Sequence, residues 1–71
     1  MDKQNVVRRL MSFADGAGFL NISEIARATG KSRNRVPEFV AGLDYWKDGT
    51  QKKFFVDDIA QRIVDRRVRG D

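Results

Sequence analysis

Cysteine and histidine do not occur among the 71 residues, and proline occurs once. Without cysteine or histidine there is no disulfide framework, no thiolate or imidazole zinc site, no thiol nucleophile and no imidazole base. The pattern also lacks paired carboxylates placed for acid–base work, a glycine-rich phosphate loop and an activated nucleophile, so it predicts a non-enzyme that needs no cofactor. No apolar run approaches the roughly 20 residues that a membrane span requires. Charges recur through the first fifteen residues, where a signal peptide would carry its apolar core, and a cytoplasmic protein is the expectation. Low-complexity tracts are absent as well. A composition of 41% hydrophobic and 34% charged residues suits a folded domain, and at this length residues 1–71 form one domain with a single core.

What the chain has in excess is positive charge. Fourteen Lys and Arg against ten Asp and Glu leave a net charge of +4. Mild basicity can serve solubility alone, and it can also attract an acidic partner, nucleic acid first among them. Where the cations fall along the chain decides between the two.

Val6, Val7, Leu10, Met11, Phe13 and Ala14 lie on one helical stripe, which predicts a first helix over Asp2–Asp15. Gly16 and Gly18, on either side of Ala17, close it, and Phe19 with Leu20 makes a short apolar entry with the character of a strand. Asn21 followed by Glu24 has the spacing of a capping box, with Leu20 and Ile25 as the accompanying hydrophobic staple. A second helix then spans Ile22–Thr29 and buries Ile22, Ile25 and Ala26, while Gly30 stands where a left-handed C-terminal cap belongs. Ser32 is a good N-cap for a third helix whose stripe is Val36, Phe39, Val40 and Leu43, with Gly42 near its end. These two helices, joined through Thr29–Ser32, make a helix-turn-helix over about 21–43. Tyr45–Lys47 and Lys52–Val56, separated by Asp48–Gln51, read as a β-hairpin. Asp57 caps a last helix from Asp58 to about Arg69, with Ile59, Ala60, Ile63 and Val64 inward and with Asp58–Arg62 and Asp65–Arg69 as i, i+4 pairs. The fold class is therefore α+β, mostly α, with three to four helices and a two-stranded hairpin.

Lys31, Arg33 and Arg35 crowd the start of the third helix, where the macrodipole favours anions, so arriving phosphates would relieve the local cost. Counting 100° per residue from the apolar stripe turns Asn34, Glu38 and Ala41 away from the core and Arg35 to the flank. Arginine can bond two acceptors on guanine, asparagine can bond adenine, and Glu38 can either accept from cytosine or pair with Arg35 or Arg27. Lys31, Ser32, Arg33, Asn34 and Arg35 are thus candidate DNA contacts, against the plain alternative of a solvated polar face. At the hairpin tip Lys47, Thr50, Gln51, Lys52 and Lys53 are candidates for the phosphate backbone or minor groove, although lysines also protect sheet edges from pairing. Tyr45, Trp46, Phe54 and Phe55 can stack on bases, but alternation beside a small core sends at least two of the four inward. Arg62, Arg66 and Arg69 form a stripe that either complements the last helix dipole or touches DNA or a partner.

In order, the elements are helix, helix-turn-helix, two-stranded hairpin and helix. From about Asn21 to Val64, in "NISEIARATGKSRNRV", "LDYWKDGTQKKFFV" and "DDIAQRI", the chain resembles the winged helix-turn-helix domains of the excisionase and MerR-like group of phages and mobile elements. The resemblance implies double-stranded DNA as partner, with Ser32–Arg35 in the major groove and Thr50–Lys53 on flanking backbone or minor groove. It also implies a role in recombination directionality or transcriptional control, with copies of the chain or a recombinase as neighbours on DNA. A winged domain that turns its basic surface to an acidic protein is the alternative. Pro37 departs from the pattern: either the third helix kinks there, or it begins near Val36 and leaves Arg33–Arg35 in the turn.

Overall fold

Asp2 accepts a hydrogen bond from the Gln4 backbone N–H at 3.1 Å and so starts the first helix, α1 (Lys3–Met11). The computed structural model describes residues 2–14 and 17–66. Helix α1 ends earlier than its apolar stripe suggests, because the N–H groups of Ser12, Phe13 and Ala14 each donate to the carbonyl three residues back. That tighter winding closes the helix while keeping Ala14 in the core. Gly16 lies outside the described residues.

Phe19–Asn21 form a short strand, β1, and pass directly into α2 (Ile22–Thr29). The Asn21 side chain accepts from the Glu24 N–H, and the Asn21 N–H donates to Glu24 Oε1, both at 2.8 Å. The capping box is thus complete, with Leu20 and Ile25 on either side of it fully buried. Ile22 is only partly buried. Gly30 takes φ +74° and donates its N–H to the Ala26 carbonyl, closing α2 with a left-handed cap.

The third helix is shorter than the stripe Val36, Phe39, Val40 and Leu43 predicts. It runs over Val36–Phe39 (α3) with Arg35, not Ser32, at its N-cap. Pro37 explains the start: in the first turn its missing N–H costs nothing, whereas a helix from Ser32 would have placed it where a donor is needed. Of the two outcomes that proline leaves open, the later start is the one found, and Arg33–Arg35 belong to the turn. The frame of 100° steps therefore does not apply to Asn34, and Gly42 at φ +86° lies beyond the helix.

The hairpin consists of β2 (Tyr45–Asp48) and β3 (Gln51–Phe55), with Asp48 paired to Gln51 and Gly49 at φ +67° opening the two-residue loop. It is not alone: β1 pairs antiparallel with β3, Leu20 opposite Phe54, to give a three-stranded sheet ordered β1-β3-β2. The last helix, α4 (Val56–Asp65), follows β3 without a loop. Val56 donates to the Gly18 carbonyl, so sheet pairing hands over to helix at Phe55, which takes the N-cap place expected of Asp57. Asp57 and Asp58 sit in the first turn instead, where they complement the dipole. Leu20, Ile25, Val36 and Ile59 are the fully buried centre of the core, and α1 packs against α4.

Within the described residues this is an α+β unit of four helices and one three-stranded antiparallel sheet. None of these helices is long and apolar enough to cross a membrane. One side chain ties the short α3 in place: Arg62 Nη1 donates to the carbonyls of Phe39 and Ala41 at 3.1 and 3.0 Å. Arg62 therefore pairs with those carbonyls and not with Asp58, and Arg69 lies outside the described residues.

Candidate nucleic-acid interface

Alternation along β3 fixes what each side of the hairpin presents. Phe54 is buried, so its face, with Tyr45 and then Lys52 and Lys47 across the ladder, is the one turned toward the helices. Lys47 stands directly opposite Lys52, and like charges so placed are unfavourable unless an anion joins them. The Lys52 ammonium lies 5.0 Å from the Tyr45 ring centroid, close enough for cation–π attraction.

Between this face and the 31–35 turn is a cleft of about 610 Å³. Arg33 reaches it from the turn, Lys52 from the hairpin, and Asn21, Ser23, Thr50 and Gln51 add polar groups. Its lining contains no carboxylate. Lys31, Ser32, Arg33, Asn34 and Arg35 are all exposed, and the Arg35 N–H donates to the Ser32 carbonyl at 3.0 Å, which makes the segment a tight projecting turn. Comparison of the chain with family models, curated proteins and solved structures finds no match.

The ten candidate residues do not all converge. Arg33, Thr50, Gln51 and Lys52 line the cleft, and Lys47 shares its hairpin face. Lys31 turns to the far side of the turn, over the Phe39 ring at 5.4 Å. Lys53 lies on the opposite sheet face, 3.4 Å from Asp48 and 5.8 Å from the Trp46 ring centroid. The Lys53–Asp48 pair is the one ion pair among the described residues, so Glu38, exposed on α3, pairs with neither Arg35 nor Arg27.

The aromatic residues meet the expectation in direction but not in depth. Tyr45 and Phe54 share the face turned toward the helices, yet only Phe54 is buried, and Tyr45, Trp46 and Phe55 are 47%, 42% and 44% exposed. Phe19, Trp46 and Phe55 instead cluster on the uncovered sheet face, with centroid separations of 5.6 Å (Phe19–Trp46) and 5.0 Å (Phe19–Phe55). The alternation was legible, but which face the helices cover depends on β1 joining the sheet. Ser23, in the cleft lining, is a residue the sequence does not single out, and Tyr45, offered there only for base stacking, lines the cleft as well. For Tyr45 the signal was present, since it shares strand parity with Lys47.

Proposed function

We propose that the chain is a winged helix-turn-helix domain that binds double-stranded DNA, with α2, the 31–35 turn and α3 as the motif and the β2–β3 hairpin as the wing. The observation that carries this reading is the carboxylate-free cleft into which Arg33 and Lys52 come from separate elements. Phosphates entering it would gain two counter-charges and relieve the Lys47–Lys52 opposition. Ser32, Asn34 and Arg35, exposed on the turn, are then the base readers: Arg35 toward guanine and Asn34 toward adenine. Because α3 has only four residues, reading is done by the turn and not by a helix face. A role in recombination directionality or transcriptional control of a mobile element follows from the resemblance of the 21–64 segment.

The cluster of exposed Trp46 and Phe55 around the half-buried Phe19, beside Lys53, favours a second reading, an acidic, apolar protein segment bound on the outer sheet face. Fluorescence anisotropy with a labelled duplex, repeated over a range of salt, separates the two. Duplex binding that weakens steeply with salt is expected from counterion release. Salt-insensitive or absent duplex binding would reject the DNA reading and leave the protein partner.

A further inference from the structure

On the far side of the 31–35 turn from the hairpin is a second hollow, about 330 Å³ in volume, lined by Ala28, Thr29, Lys31, Phe39, Ile63 and Arg66. The Lys31 ammonium and the Arg66 guanidinium lie 5.4 and 5.8 Å from the centroid of the same Phe39 ring. Among the described residues neither has an ion-pair partner, and the lining again holds no carboxylate. Two cations gathered on one ring repel each other. Part of this is offset locally, because Lys31 follows the C-terminus of α2 and Arg66 is the C-cap of α4. Each helix end carries about half a negative charge, so roughly one net positive charge is left over. Contact with the ring face attracts the cations without neutralising them. What the hollow is short of is a compact anion.

We infer that this hollow is a second phosphate site, one that binds DNA backbone on the flank of the turn opposite the hairpin cleft. The inference rests on the proposed DNA-binding function. Arg33 faces the cleft and Lys31 faces the hollow, so the exposed Ser32, Asn34 and Arg35 stand between two cationic depressions. A B-DNA major groove, about 12 Å wide, has a phosphate backbone along each rim, and a turn inserted there meets both. Arg66 thereby brings the last helix into the interface, while Arg62, one turn earlier, is held by the carbonyls of Phe39 and Ala41.

The test is the slope of log K against log salt for a mixed-sequence duplex, measured for the unaltered chain, K31Q/R66Q and the charge-keeping K31R/R66K. Each lost phosphate contact removes about 0.9 from the slope, so K31Q/R66Q should flatten it by about one to two units and K31R/R66K should restore it. Thermal melting checks that the variants are folded. If the double variant melts too low, K31Q and R66Q singly should each flatten the slope by up to about one unit. A steep slope in the unaltered chain that K31Q/R66Q leaves unchanged would overturn the second site and keep the DNA-binding function. No salt-dependent duplex binding by the unaltered chain would remove both.

Discussion

Arg62 is the side chain whose loss should be felt furthest from its own position. Its Nη1 donates to the Phe39 carbonyl, which is part-buried, and to the Ala41 carbonyl, which is exposed. Helix α3 is too short to sustain itself: N–H groups of Phe39 and Val40 supply its i to i−4 bonds, the Val40 carbonyl accepts from the Leu43 N–H, and the carbonyls of Phe39 and Ala41 accept from Arg62. A charged hydrogen bond contributes about 1.5–3 kcal/mol when sheltered and much less in water, so R62A should cost about 2 kcal/mol in all. For a domain of this size each kcal/mol moves the melting temperature by roughly 4–8 °C, which predicts a drop of roughly 8–16 °C by circular dichroism. R62K keeps the charge but not the planar fork and should fall between the two. Q61A, which loses only an exposed bond to Asp65 at 2.7 Å, is the control and should stay within about 0.5 kcal/mol of the unaltered chain. Melting of R62A within that same margin would refute the capping role. So would a duplex-binding slope flattened by a full unit in the folded variant, since Arg62 would then be a phosphate contact.

N21A removes the side-chain half of the capping box and should destabilise by about 1 kcal/mol, measured by urea denaturation; no loss would mean that α2 is held by packing alone. G30A places an added Cβ in open space at φ +74°, so its cost is backbone strain only, about 1 kcal/mol, with G30N losing less; equal losses for the two would point away from the left-handed cap. Lys47 shares the cleft-side face of the hairpin and Lys53 the opposite one, so K47Q should flatten the duplex salt slope by up to about one unit and K53Q should not. The reverse order would assign the backbone to the outer sheet face.

The parts of the fold that proved legible are those set by near neighbours. Asn21 and Glu24 are three residues apart, and Gly30 needs only its own φ, so α2 follows from local chemistry with both ends correct. The third helix went wrong where two local signals conflicted: Ser32 is a good cap, but Pro37 five residues later admits a helix only if it lies in the first turn. The start of α4 is not local at all, because the Val56 N–H goes to Gly18 across the sheet. The same distance in sequence hid the role of Arg62, whose partners are 23 and 21 residues away. For the candidate site, the residue types around 31–35 and 47–53 were visible, but their division among a cleft, a hollow and an outer sheet face was not. That division depends on β1 entering the sheet, a pairing of residues far apart in sequence, and on α3 beginning at Val36, where Pro37 overrides Ser32.

Paired neutralisation of Arg33 and Lys52 addresses the cleft most directly. Binding of R33Q/K52Q and of the unaltered chain to one duplex, followed over a range of salt, should give a steep slope for the latter and one flatter by about two units for the variant. Equal slopes for two folded proteins, or a flat slope for the unaltered chain, would contradict a DNA backbone held between the turn and the hairpin.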